Sequence, residues 1–199
     1  MRILVIGTGL VGGAAVSALA ERGHDVVGVS RSSSPAVDAT DPDSIAALFA
    51  EVGTMDAVVA AVGSAPYKPL AELDHGDFLK GLLAKALAQI DIVQLGTPYV
   101  TDGGSFTLTT GVLGREPIVT GAASSVANGA LQAFTMAAAI ELPRGLRINT
   151  VSPTVLVEAT SHHDAFPGFT QVTAAAVGQA YVKAVEGAHT GRVYALDGS

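Results

Sequence analysis

Apolar and polar residues follow two different periods along this chain, and the switches between them predict its elements. Arg2 to Ile6 is a short, β-rich apolar run. After it Val11, Ala14, Ala15, Ala18 and Leu19 recur at helical spacing, and the stripe stops at Arg22 and Gly23. Asp25 to Val29 returns to a strand pattern. Asp41 as N-cap and Pro42 at the first helical position announce a second helix, with Ile45, Leu48 and Phe49 as its buried face. Met55 to Val62 is nearly all apolar, which predicts a strand covered on both faces. Leu70 to Leu95 reads as mostly helical, with Gly76 and Gly81 as interruptions. Gly104 to Thr110 is the next strand, Ser124 to Leu142 a helix, and Leu146 to Val151 a strand. A helix near Val172 to Val185 and a strand at Arg192 to Leu196 follow. This alternation predicts an α/β fold of Rossmann type: a doubly wound parallel sheet of about seven strands, counting a short one near Val37 to Asp41, with helices on both faces.

Composition narrows the class. The 199 residues are enough for one sizeable core and short for two, so 1–199 is read as a single domain. The most membrane-like run, Val119 to Ile140, is interrupted by Ser124, Ser125, Asn128, Gln132 and Thr135, which predicts a buried helix and no membrane partner. Val5 and Ile6 lead straight into glycines, so no signal peptide is expected and a cytoplasmic location follows by default. The chain has no cysteine, which excludes disulfides and thiolate chemistry. A net charge of −7 without a basic stretch argues against nucleic acid as a partner.

The first strand runs into Gly7, Thr8, Gly9, Leu10, Val11 and Gly12, the G-x-G-x-x-G spacing between a strand and a helix. Gly7 allows the sharp turn, Gly9 lets a pyrophosphate approach the backbone, and Gly12 lets the helix lie close. The free amides at the helix start then face an anion. In a doubly wound sheet the ligand sits at the carboxyl ends of the strands. Those ends are Gly7 to Gly12, Ser30 to Ser32, Ala61 to Ser64, Thr109 to Gly111 and Ser152 to Val155, all rich in small or hydroxyl residues. The second strand ends in Val29, Ser30, Arg31, Ser32 and Ser33 with no acid to hold a ribose 2′-hydroxyl. Arg31 offers a guanidinium for a 2′-phosphate, and Ser30 and Ser32 add donors, which favours NADP(H) over NAD(H). Asp38 is placed to approach the adenine, or is a turn aspartate.

In these segments the chain resembles the short-chain dehydrogenase/reductase family over almost its whole length. The resemblance rests on the glycine turn, V-D-A-T-D at Val37 to Asp41, A-A-V-G at Ala60 to Gly63, and G-G-S-F-T-L-T-T-G at Gly103 to Gly111. It continues through N-G-A-L-Q-A-F-T-M-A-A-A-I-E-L from Asn128, G-L-R-I-N-T-V-S-P at Gly145 to Pro153, and the closing V-Y-A-L-D-G. It implies that Ala60, Ala61, Val62 and Gly63 border the adenosine and ribose. It also implies that Ser152 to Val155, Pro153 and Val155 included, border the nicotinamide end.

The family's Tyr-x-x-x-Lys pair does not carry over: the tyrosine position falls on Ser124 and the lysine position on Asn128. The family's substrate-polarising serine falls on Thr110, with Thr109 the alternative, and its asparagine on the preceding helix falls near Lys85. Hydride transfer to a carbonyl creates an alkoxide that needs a proton and a hydrogen-bond donor. Thr110, Ser124, Lys85 and Asn128 are the candidates, with Lys85 the missing cation and Asn128 also a ribose ligand. Tyr67, Tyr99, Tyr181 and Tyr194 match no motif position. His162 and His163 are adjacent and lack an acid at ligand spacing, so no metal is expected, and His24 and His75 read as loop residues. The expectation is an NADP(H)-dependent oxidoreductase acting on a small carbonyl or alcohol with an atypical active site. A catalytically impaired dinucleotide-binding sensor is the alternative. The resemblance also implies a homodimer or homotetramer, formed through the helices near Leu82 to Leu95 and Ser124 to Leu142.

Overall fold

In this computed structural model, which describes residues 1–198, six parallel strands form one sheet. They are β1 (Arg2–Ile6), β2 (Asp25–Val29), β3 (Met55–Ala60), β4 (Val100–Thr109), β5 (Arg147–Pro153) and β6 (Val193–Leu196). Their order is β2-β1-β3-β4-β5-β6, so the winding reverses between β1 and β3. That reversal opens a crevice at the carboxyl ends of the two strands. The expected seventh strand is absent among the described residues, because the segment before Val37 makes only an isolated bridge, Ser30 to Ala36.

Successive strand residues point to opposite faces and build two cores. Leu4, Ile6, Val58, Phe106, Leu108 and Ile148 pack against α2 (Pro42–Val52), α4 (Ala88–Gly96) and α5 (Ala122–Glu141). Ile3, Val5, Val59 and Val151 pack against α1 (Leu10–Glu21) and α6 (Ala174–Glu186). Burial on both faces explains why β3, apart from Asp56 near its start, reads as an apolar run.

The helix starts follow the sequence signals where side chains make them. The Asp41 carboxylate accepts the Asp43 amide at 3.0 Å, with Pro42 in the first turn of α2. Asp74 and Asp77 form a capping box on α3 (His75–Gly81), so His75 opens a helix and does not lie in a loop. His24 does lie in a loop, bonded to Glu186 at 2.9 Å. Between α3 and α4 the chain continues without a break through a π-helical turn, Leu82–Leu87. Gly76 sits inside the first turn of α3 and Gly81 ends it, so neither interrupts the helical stretch. π turns widen a helix locally and are frequent at functional sites.

Gln89, fully buried at the start of α4, draws this helix onto the sheet. Its amide nitrogen donates to the Val62 and Thr109 carbonyls, both at 2.8 Å, and its carbonyl accepts the Thr109 amide at 2.8 Å. One side chain therefore satisfies three backbone groups at the ends of β3 and β4. Gln89→Leu leaves them unpaired in a dry setting, and we expect a loss of about 2 to 4 kcal/mol. Melting curves should show Tm lowered by roughly 5 to 15 °C; an unchanged Tm would show that water replaces the amide at no cost.

Candidate active site

The first cleft lies over the β1–β3 crevice and has a volume of about 370 Å³. Gly7 turns the chain at φ +94°, and a Cβ there would lie 2.4 Å from the Ala61 carbonyl oxygen. A Cβ on Gly12 would meet the Gly7 oxygen at 1.8 Å, so both glycines are required by the tightness of the turn. Gly9 is different: a Cβ there would meet nothing within 4 Å, and the open space above it belongs to the cleft. Helix α1 also starts without a side-chain cap and without an acid in its first turn. Its first amides have no side-chain partner, in contrast to those of α2, α3 and α6, whose starts are capped by Asp41, Asp74 and Thr173. Uncapped amides and the helix dipole favour an anion at this point.

Ser30, Arg31, Asp38, Thr40, Val62 and Gly63 join Gly7, Thr8 and Gly9 around the same cleft. The Thr40 hydroxyl and amide donate to one Asp38 oxygen at 2.7 and 2.9 Å. These bonds hold the Asp38 carboxyl below the usual carboxylate range, with a smaller pull from Arg31. The cleft wall therefore combines backbone amides, the hydroxyls of Thr8, Ser30 and Thr40, the Arg31 guanidinium and the Asp38 carboxylate.

Several expected contacts lie elsewhere. Ala60 is buried as the last residue of β3, and Ala61 sits behind Gly7 with its amide on the Ile6 carbonyl, so neither walls the cleft. Leu10 faces a separate depression between α1 and α6, Val11 packs on the core, and Gly12 is enclosed by the turn. Ser32 also stays outside the wall, with its amide bonded to the Ser30 hydroxyl.

A second, smaller cavity of about 110 Å³ adjoins the first. Lys85, Ser124, Asn128, Pro153 and Val155 converge on it from three segments far apart in sequence, together with Tyr67, Gly111, Thr154 and Phe166. Gly63 of the first wall, at φ +125°, packs on Lys85 of the second: a Cβ on Gly63 would be 2.5 Å from the Lys85 Cγ. Asn128 is 2% exposed and donates to the Ser124 carbonyl at 2.8 Å and its hydroxyl at 3.1 Å. The Asn128 Oδ1 is buried with no partner, an acceptor available to a ligand donor. Lys85 is partly buried, and burial alone pushes its ammonium down to about 8.

The structure does not bring Thr110 to this wall. Its amide bonds the Val151 carbonyl at 3.0 Å, which extends the β4–β5 pairing, and its buried Oγ1 has no partner beneath neighbouring Gly111. Thr109 is occupied as well, bonded to the Ala60 carbonyl at 2.7 Å and the Tyr181 hydroxyl at 2.6 Å. Of the four tyrosines only Tyr67 reaches the small cavity. Tyr181 is in the core, where burial pushes its phenol up; Tyr99 stacks on Phe49, and Tyr194 lies by Lys183 and His189. The sequence reading passed over Tyr67 and Gln89, although a glutamine on the apolar stripe of a helix is a detectable signal. It also passed over Arg115, which ties the Ser152 hydroxyl to Asp197. No cluster of three metal-ligating side chains occurs among the described residues.

Together, a parallel sheet wound both ways and clefts at its switch point define a Rossmann-type α/β protein. The chain belongs to the short-chain dehydrogenase/reductase family, whose members use nicotinamide dinucleotides: residues 10–196 match the family model described as Enoyl-(Acyl carrier protein) reductase. The crystal structure of the protein lin1944 from Listeria innocua is similar at 45% identity and TM-score 0.95, with 98% of this chain and 99% of that chain covered. A small-chain dehydrogenase in complex with NADPH is similar at 25% identity and TM-score 0.89, covering 100% of this chain and 97% of that one. A short-chain dehydrogenase/reductase from Serratia marcescens shares the fold at 20% identity and TM-score 0.82, covering 99% and 95%. A comparison with curated protein sequences finds no match. No helix among the described residues is long and apolar enough to cross a membrane.

The lowered Lys85 value has a measurable consequence. The folded state releases this proton near pH 8 and the unfolded chain near the ordinary 10.5, so below pH 8 the buried cation opposes folding. Stability gained from deprotonation rises with pH between those values. Lys85→Met should therefore stabilise the protein at pH 7, by an amount on the order of 1 to 3 kcal/mol after solvent screening. Paired melts should show that advantage fading by about pH 10; an advantage independent of pH would assign it to packing.

Proposed function

We propose that this protein is an NADP(H)-dependent oxidoreductase that interconverts a small carbonyl and its alcohol. The observation that carries the reading is the adjoining pair of cavities: one presents uncapped amides, open space over Gly9 and Arg31, the other gathers Lys85, Ser124 and Asn128. The NADPH complex of a relative with the same fold supports the nucleotide assignment.

When bound, the reduced nicotinamide supplies a hydride. The chain's own residues then have distinct tasks. Arg31 and Ser30 meet the 2′-phosphate, with charge-assisted hydrogen bonds stronger than those available to a 2′-hydroxyl. The Asn128 Oδ1 accepts from a ribose hydroxyl. Ser124 donates toward the substrate oxygen, and the Lys85 ammonium stabilises negative charge as it develops there. With its value near 8, Lys85 exchanges protons readily at neutral pH.

A second copy of the chain is the partner we propose for the exposed apolar residues Leu79, Leu83 and Leu87 on the α3–α4 stretch and Val126, Met136 and Ile140 on α5. A sensor that binds the dinucleotide without turnover is the competing reading. It is favoured by the Ser124–Asn128 hydrogen bond, which engages the two replaced family positions with each other.

NADPH at about a hundred times its Kd should stabilise the protein by roughly 2.7 kcal/mol. For a domain of this size that is a Tm increase of about 5 to 11 °C. Arg31→Asp should reduce the NADPH effect more than the NADH effect, and equal losses would remove the 2′-phosphate role. Lys85→Ala should abolish NADPH oxidation across a panel of small ketones and aldehydes while keeping the NADPH melt shift. A wild type that shifts but oxidises none of the panel would establish the sensor.

A further inference from the structure

We propose that Tyr67, in the loop between β3 and α3, is the proton donor of this site, with Lys85 facing the charge it leaves behind. The proposal rests on the oxidoreductase reading above and names for it a proton donor other than Lys85 and Ser124. Tyr67 and Lys85 wall the same cavity of about 110 Å³, beside Ser124 and Asn128. The loop is held in place next to this residue. The Lys68 amide donates to the Thr120 carbonyl at 3.1 Å, and the Lys68 ammonium reaches both Asp77 oxygens at 2.9 and 2.8 Å. Tyr67 is thus tethered between the start of α5 and the first turn of α3.

Chemistry selects it among the neighbours. The other hydroxyl groups on the cavity wall, Ser124 and Thr154, are aliphatic alcohols, and Asn128 is an amide. A phenol is by nature a far stronger acid than either. The Ser124 hydroxyl already accepts from Asn128 at 3.1 Å, and the Thr154 Oγ1 is buried. Tyr67 is 49% exposed, so half of its ring is covered while water still reaches it. Lys85 has no compensating charge of its own: burial is the sole cause of its lowered value. A phenolate across the cavity would supply that charge.

The step balances as follows. The substrate carbonyl carbon accepts a hydride from the reduced dinucleotide, and the C=O π pair moves onto oxygen. The Tyr67 O–H bond breaks as the new O–H bond of the product alcohol forms, and the dinucleotide is left oxidised by two electrons. The phenolate stands against the Lys85 ammonium until water at the cavity mouth returns a proton.

Tyr67→Phe keeps the ring and its packing and removes only the acid. Turnover with NADPH and a responsive carbonyl should fall by about a hundredfold or more, with the NADPH melt shift retained. A second measurement does not depend on activity: fluorotyrosine placed at position 67 should show a fluorine NMR resonance that moves on Lys85→Met. A Tyr67→Phe enzyme within about threefold of wild-type kcat, well short of the usual general-acid contribution, overturns the proposal. So does a fluorine resonance indifferent to Lys85→Met. A wild type with neither an NADPH shift nor turnover overturns the oxidoreductase reading itself, and the fluorine comparison tells that failure apart from a misplaced tyrosine.

Discussion

How closely one helix is drawn onto the ends of two strands governs the arrangement of both cavities. Gln89 binds the backbone of Val62 and Thr109 through three hydrogen bonds, and Gly63 lacks the Cβ that would collide with Lys85. Between these two contacts the helix widens into its π turn, Leu82–Leu87. A regular α-helix places residues four apart on one face. The wider turn lets Gln89 satisfy the sheet while Lys85, four residues earlier, meets the small cavity. Without the close approach the clefts would be separated by a full side chain at Gly63, and one extended ligand could not span them.

The same approach explains why polar groups lie unpaired at this edge of the sheet. The Thr110 Oγ1, Asn128 Oδ1 and Thr154 Oγ1 atoms are buried without a partner, and Lys85 is partly buried with no counter-charge behind its lowered value. Each costs stability in the free protein. Asn128, Thr154 and Lys85 are on the wall of the small cavity, where a ligand can meet them, whereas the unpaired atoms of Ser105, Thr107, Ser125 and Gln132 lie elsewhere.

Much of this was legible in the chain, for local reasons. The element order followed from apolar periodicity, since burial on both sheet faces leaves long apolar runs such as Val58 to Ala60, and side-chain caps such as Asp41 mark helix starts. The glycine turn was legible because only a chain without Cβ atoms at Gly7 and Gly12 fits it. Lys85, Ser124 and Asn128 were reached through family spacing, and they do share a cavity. Thr110, also reached through spacing, has a buried hydroxyl without a partner and is not on the wall of that cavity. Tyr67 matched no motif position: its place depends on the bonds of neighbouring Lys68 to Thr120 and Asp77, pairings across 52 and 9 positions that no local pattern encodes. The strand near Val37 was over-read, since apolar burial at Val37 is satisfied by packing on α2 without a ladder.

Charge raises a final question, because a chain of net −7 is read as a binder of a polyanion. Net charge governs long-range steering, which salt screens within about 10 Å, while binding is decided by groups in contact. At the contact the balance is reversed. The start of α1 offers uncapped amides with no acid in its first turn, and Arg31 stands at the end of β2. Asp38 is the acid on the cleft wall, and its charge is engaged by Thr40 and drawn toward Arg31. Elsewhere many acids are committed to structure: Asp41 and Asp74 cap helices, Asp77 holds Lys68, and Glu186 holds Arg22 and His24. The acidity of the protein is thus spread over its folded frame, and the crevice where β1 and β3 part presents Arg31 and an uncapped helix start to an anionic ligand.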